Sequence, residues 1–218
     1  MIQALVVSNG IGGAAFYQSN AEIHYDVAEV TADFDPDLTP YDLLVVPNGS
    51  DHVAMLKIRD KVRAFLETGK TVMCFDGWFT NWLPGNRWIH DNTRPTKDVR
   101  HFIRTDRHQL LEGVDLRKFD HEKHGMSGWW ACGRIECPEA ADVVLADTWQ
   151  RPLVVLDEVT TPGLMFLTAS GPLGDFTFYG DPDGIPRLYR NALRLVANRL
   201  SGPSSDSRSN STSQLQPA

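Results

Sequence analysis

Short, nearly unbroken apolar runs alternate with longer polar stretches along this chain, and they mark out its elements. Residues 2–7 form the first run, 23–30 a weaker second, and Leu43–Val46 a third that ends at Pro47. Thr71–Phe75 follows, and 143–145, 153–156 and 164–167 come later. The first, third and fourth runs are continuous rather than alternating. Strands buried on both faces read this way, which predicts a parallel sheet with helices on each side. Residues 52–68 place Met55, Ile58, Val62, Phe65 and Leu66 on one helical stripe, with Arg59, Asp60, Lys61 and Glu67 opposite. Ser50 or Asp51 can cap this helix and Gly69 can end it. A second stripe of Leu188, Ala192, Leu195, Val196 and Arg199 predicts a helix over 187–200, with Pro186 near its first turn. Leu43–Val46, the first helix and Thr71–Phe75 together have the size of one βαβ crossover, so the fold class is α/β.

Between 82 and 133 the pattern breaks up. The segment holds Pro84-Gly85, Asp91-Asn92 and many histidines and aromatics. It allows a short helix around 98–111 and otherwise reads as long loops, or as an insertion at the carboxyl edge of the sheet. Residues 201–218 turn abruptly to Ser, Asn, Gln and Pro, the composition of a disordered tail. Residues 1–200 are thus expected to form one domain. Its net charge of −7 argues against nucleic acid as a partner, because binding phosphates needs a basic face. No run of 18 apolar residues is present, so no membrane span is expected. The first residues enter a strand pattern directly, without a basic leader. Cys74, Cys132 and Cys137 do not suggest a disulfide framework, and a reducing cytoplasm is the expected setting.

The chemistry concentrates at the end of the fourth run. Thr71-Val72-Met73-Cys74-Phe75-Asp76-Gly77-Trp78 reads as a buried strand that turns sharply into a helix, and ligands and nucleophiles sit at such turns in open α/β sheets. Asp76 can act there as acid or base, or bind a hydroxyl or a metal. It can equally be the N-cap of a helix starting near Trp78. Cys74 is a small buried side chain or, with a shifted strand end, a nucleophile. Asn48-Gly49-Ser50-Asp51 lies at the neighbouring strand end, where backbone N–H groups suit an oxyanion or a carboxylate. Ser8-Asn9-Gly10-Ile11-Gly12-Gly13 meets neither the dinucleotide spacing nor the P-loop pattern, and reads as a loop that rims the pocket.

His121-Glu122-Lys123-His124, with Cys132 and Cys137 downstream, fits no standard zinc spacing. No metal and no organic cofactor are expected. His124, followed by glycines and by Trp129 and Trp130, suits a sugar-like pocket in which flat rings stack on apolar faces. The two tryptophans serve equally as a seal on the sheet edge or as a contact between copies in a homo-oligomer. Gly180-Asp181-Pro182-Asp183-Gly184 reads as a turn rather than a calcium loop.

Three stretches carry a family resemblance. Tyr41-Asp42-Leu43-Leu44-Val45-Val46-Pro47-Asn48-Gly49-Ser50 is similar to the strand that helps form the oxyanion hole in the class I glutamine-amidotransferase-like superfamily. Residues 69–77 resemble its elbow strand, and 163–169 with the last helix resemble its closing strand and helix. The nearest branch looks like the trehalose-utilisation proteins. The resemblance implies a flavodoxin-like three-layer sandwich with a mostly parallel central sheet. It also places the family's nucleophile at Asp76, and Thr168-Ala169-Ser170-Gly171-Pro172 where the family has His-Pro-Glu. The usual triad is therefore missing, a departure that the trehalose-utilisation branch shares.

The expected site takes a small-molecule ligand at the carboxyl edge of the sheet. Asp76 and His124 are the candidate catalytic residues, with Asn48, Gly49, Ser50, Gly77, Trp78 and Trp129 in binding roles. Two other readings stand beside it: a non-catalytic relative that binds a ligand or a protein, and a glutaminase using Cys74.

Overall fold

The structure, a computed structural model, describes residues 1–9, 16–91, 93–120, 129–174 and 182–202. Its strands are β1 (Ile2–Ser8), β2 (Ile23–Glu29), β3 (Leu43–Val46), β4 (Thr71–Phe75), β5 (Arg87–His90), β6 (Phe102–Ile103), β7 (Trp130–Ala131), β8 (Gly133–Glu136), β9 (Asp142–Ala146), β10 (Pro152–Asp157), β11 (Leu164–Thr168) and β12 (Ser170–Gly171). Its helices are α1 (His52–Lys57), α2 (Arg59–Glu67) and α3 (Ile185–Ser201).

Eight strands form the central sheet in the order β2-β1-β3-β4-β11-β10-β9-β6. The first five run parallel, and β10, β9 and β6 extend the sheet by antiparallel pairing. The change of direction follows from the connections. β9 and β10 are joined by a tight turn in which the Gln150 amide donates to the Asp147 carbonyl, and a turn that short permits only antiparallel pairing. β3 and β4, in contrast, are separated by the α1–α2 crossover. The strand order 2-1-3-4 followed by a fifth parallel strand is the flavodoxin-like one.

Alternation along the buried strands sends side chains to two cores. Val72 and Cys74 of β4 face the layer of α1 and α2, where Met55, Val62 and Leu66 are fully buried. Met73 and Phe75 face the layer of α3, with Leu188, Tyr189 and Ala192. Each such side chain contributes roughly 1.5–3 kcal/mol by leaving water. The result is the expected three-layer α/β sandwich with a mostly parallel sheet. Among the described residues, no helix is long and apolar enough to cross a membrane.

Several expectations need correction. The helix read over 52–68 breaks at Ile58, which leaves helical geometry at φ −98°, ψ 11° and separates α1 from α2. The helix allowed around 98–111 does not form. Thr96–Asp98 makes a 3-10 turn, and Phe102–Ile103 becomes the edge strand β6. Val99 and His101 are buried while Phe102 and Ile103 are exposed, and burial two residues apart suits extended chain rather than a helix. Within 82–133 the chain also forms β5 and β8, which pair antiparallel, and β7, which pairs with β12. Of residues 201–218, read as a tail, Ser201 is still the last residue of α3, and 203–218 lie outside the described residues.

One glycine sets the spacing between α2 and the sheet. A Cβ on Gly163 would lie 2.4 Å from the Lys70 carbonyl oxygen and 2.7 Å from that of Leu66, both backbone atoms. Gly163→Ala should therefore push the start of β11 off its neighbours and destabilise the fold by roughly 2–3 kcal/mol. The urea midpoint measures this, and an unchanged midpoint would show that the strand shifts freely.

Candidate functional site

The parallel strands β3, β4 and β11 release their chains at one edge, and the residues that follow them meet there. A Cβ on Gly171 would come within 3.0 Å of Asp76 Cβ and 3.1 Å of Asn48 Cβ. Asn48, Asp76 and Gly171, far apart in sequence, thus form one cluster. The Asp76 amide donates to the Thr168 carbonyl at 2.8 Å, which ties the end of β4 to β11.

Asp76 leaves the strand with φ +36°, in the left-handed region that aspartate tolerates better than most residues. Gly77 follows at φ +71°. The helix expected after this turn does not form; the chain runs irregularly to β5. Trp78 and Trp82, whose spacing of four imitates a helix, are instead buried from a loop, and Pro84-Gly85 closes it. Asp76 therefore caps no helix, and that reading of it falls away.

Its carboxyl group is largely enclosed, and Oδ1 has no hydrogen-bond partner. Burial pushes its pKa up to about 7, while the Trp88 indole N–H and the Gly77 amide beside it pull more weakly in the opposite direction. The Trp88 Nε1, near enough to influence Asp76, is itself buried and, like Asp76 Oδ1, makes no hydrogen bond of full geometry. The ring of Phe79 stands edge-on to Trp88, with centroids 5.0 Å apart, and lies over Gly77 while remaining 73% exposed.

At the end of β3, Asn48 and Gly49 are exposed, and Gly49 adopts φ +79° with open space where a Cβ would stand. The Asn9 side-chain amide donates to the Gly49 carbonyl. Ser50 donates its hydroxyl locally to the Pro47 carbonyl at 2.7 Å. Asp51 accepts from the amides of Val53 and Ala54 at 2.9 and 3.0 Å, so the amides expected to bind an anion at the start of α1 already hold a carboxylate.

Two buried histidines flank this edge. His52 Nδ1 accepts from the Trp82 indole at 3.0 Å, which assigns its proton to Nε2, a nitrogen left without a partner. Burial holds its pKa down at about 4. His101 is stacked on Trp129 and edge-on to Phe119, with both ring nitrogens unpartnered and its pKa lowered to about 3 by burial and by nearby Arg100. Both rings are neutral at physiological pH.

Of the remaining expected residues, Trp78 and Trp129 are each 1% exposed. Trp78 sits in the core on the α1–α2 face. Trp129 donates its indole N–H to the Pro172 carbonyl at 3.0 Å and so holds the chain that follows β12. Cys74 is fully buried, and burial with nearby Asp76 pushes its thiol pKa well up. His124, the rest of His121–His124, and Gly10–Gly13 lie outside the described residues, as do Gly180 and Asp181. Cys132 is exposed and Cys137 half-buried. Among the described residues, no three His, Cys, Asp or Glu side chains gather as for a metal ion.

Sequence reasoning did not single out Trp88 or Phe79. Trp88 has only the high count of six tryptophans as a signal and Phe79 has none; their place beside Asp76 depends on how the chain after β4 folds back. A cavity of about 460 Å³ opens at the opposite, amino edge near Lys61 and Lys70. Its amines are already engaged, Lys61 with Asp35 and Lys70 with the Thr39 carbonyl.

No protein-family model and no curated protein sequence matches the chain. Solved structures match over most of its length. A cytoplasmic protein from Salmonella typhimurium superposes with a TM-score of 0.60 at 12% identity, covering 89% of this chain and 98% of its own. A second cytoplasmic protein, from Salmonella typhimurium LT2, gives 0.55 at 11% identity, covering 89% and 99%. A glutamine amidotransferase from Thermotoga maritima gives 0.51 at 10% identity, covering 94% and 86%. At such identities the likeness is one of architecture, and the chain has a glutamine-amidotransferase-like α/β fold.

Proposed function

We propose that this protein is a relative of the trehalose-utilisation branch that lacks the Cys-His-Glu triad and binds or transforms a small, carbohydrate-like molecule at the carboxyl edge of its sheet. Asp76 is the acid/base, with Asn48, Gly49, Ser50 and Gly77 around the ligand. The observation that carries the reading is the Asp76 carboxyl group: held at a strand end, off any helix, with an unpartnered oxygen and a pKa of about 7. An acid/base works best when its pKa lies near the working pH, and enzymes reach that by burial of this kind. A cytoplasmic setting is consistent with the free thiols Cys74, Cys132 and Cys137.

Glutamine hydrolysis through Cys74 is disfavoured on physical grounds. The nucleophile is the thiolate, and a fully buried thiol with a raised pKa supplies little of it. The non-catalytic reading draws support from Phe79 and Trp130, large apolar side chains left 73% and 41% exposed beside the cluster.

The test assays wild type and Asp76→Asn side by side against glutamine and a panel of aldoses, ketoses and disaccharides, with products followed by NMR. The expected result is turnover of a sugar by wild type that falls roughly 10²–10⁴-fold in a folded Asp76→Asn protein. Full turnover by the variant removes Asp76 from the chemistry. Ammonia release from glutamine that is lost in Cys74→Ser replaces the proposal with a glutaminase.

A further inference from the structure

We infer that Trp88 is a ligand-binding residue of the Asp76 site: its indole N–H and Asp76 Oδ1 hold a single hydroxyl group of an uncharged polyhydroxy ligand, whose apolar face lies on Phe79. This rests on the reading of Asp76 given above and adds the residues and the ligand charge.

The argument begins with two orphans. Trp88 is only 7% exposed, and its Nε1 has no acceptor. Asp76 Oδ1 is equally enclosed and has no donor. A buried donor and a buried acceptor left unsatisfied side by side each carry a desolvation penalty. A hydroxyl relieves both at once, because it accepts from the indole and donates to the carboxylate. An ionised carboxylate or phosphate oxygen accepts only, so it pairs with Asp76 only when Asp76 is protonated and is repelled by its carboxylate form.

The charges around the site point the same way. Among the described residues, no cation contributes to the proton affinity of Asp76, which is set by burial, Trp88 and Gly77. The neighbouring strand end carries a second carboxylate, Asp51, already engaged with the α1 amides. An anionic ligand would meet two acids, whereas a neutral polyol meets no such opposition. Phe79 completes the arrangement. Its ring is braced edge-on against Trp88 and sits over Gly77, yet most of its surface faces outward. An exposed flat ring next to a hydroxyl-binding pair suits the C–H face of a sugar or cyclitol.

The experiment is titration calorimetry of glucose, ribose and myo-inositol, with gluconate and glucose 6-phosphate as charged counterparts, against the full chain. The proteins are wild type, Trp88→Phe, Phe79→Ala and Asp76→Asn, each checked for folding by thermal melt. Wild type is expected to bind at least one neutral member more tightly than its anionic counterpart. Trp88→Phe, which keeps a ring and removes the N–H, is expected to weaken that binding roughly threefold to tenfold. Phe79→Ala alters an exposed side chain and keeps the proposal testable should Trp88→Phe not fold; it is expected to weaken binding by a similar factor. Unchanged affinity in both variants, tighter binding of the anions, or no binding of any neutral member by wild type overturns the inference. Loss in Asp76→Asn alongside unchanged Trp88→Phe and Phe79→Ala overturns it while leaving the Asp76 reading intact.

Discussion

Asparagine in place of Asp76 should raise the melting temperature by roughly 5–10 °C at pH 8 and leave it nearly unchanged at pH 4. The reason lies in the proton balance of one carboxyl group. In the unfolded chain Asp76 titrates near its ordinary value of about 3.9. In the fold, burial raises it to about 7. Between those values the native state holds a proton that the unfolded state has released, so stability falls as pH rises from about 4 to about 7. Above that window the penalty is complete, roughly 2–4 kcal/mol for a shift of this size. Asparagine has nearly the same shape, tolerates the same left-handed backbone and carries no charge to desolvate. Melting curves of both proteins from pH 4 to 8 measure the effect. A constant offset across the range would mean that Asp76 titrates normally in the fold. A stabilising variant that also loses turnover is the trade expected where a site is kept at the expense of stability.

The second large effect has the opposite slope. His101→Phe should gain on wild type as pH falls, by about 2–3 kcal/mol at pH 4.5 relative to pH 7. His101 sits between Phe119 and Trp129, with both ring nitrogens unpartnered and its pKa lowered from 6.5 to about 3. Below pH 6.5 the unfolded chain takes up a proton that the buried ring refuses. Stability is therefore lost as pH falls from about 6.5 toward 3, and phenylalanine removes that loss. His52, lowered to about 4, adds a similar acid-sensitive contribution that His101→Phe leaves in place. Because Asp76 opposes the two histidines over the same range, it offsets about half of their acid loss, the wild-type curve still falls toward acid, and only the single variants separate the contributions. Urea unfolding at pH 7, 5.5 and 4.5 is the check; parallel curves for His101→Phe and wild type would show that the ring is protonated in the fold.

The sheet was legible because its strands are buried on both faces. Leu43–Val46 and Thr71–Phe75 match the observed limits, and β1, β2, β9, β10 and β11 differ by a residue or so at an end. α3 was legible from its stripe. What misled was local spacing with a nonlocal cause. Trp78 and Trp82 look like one face of a helix, but they are drawn inward by the open α1–α2 face of the sheet, which needs cover and receives it from a loop. Val99 and Leu110, both inside the 98–111 stretch that allowed a short helix, serve opposite faces of the sheet. The candidate site divides along the same line. Asn48, Gly49, Asp76 and Gly77 follow from strand ends, which periodicity locates. Trp88, Phe79 and Gly171 follow from chain segments meeting in space, and no spacing in the sequence encodes that approach.

The stretch from Gly77 to Asn86 has two employments at once. Trp78, Trp82 and Leu83 roof one core, while Phe79, between them, borders the acid. A lineage that adapts to a new ligand by rewriting this stretch must loosen its own interior to do so. Asn48 is under no such double obligation: its side chain is exposed, and it touches the same acid's neighbourhood from the other side. Divergence in taste among descendants of this fold is therefore expected to accumulate at the β3 corner, while the indole roof stays conserved for reasons unrelated to chemistry.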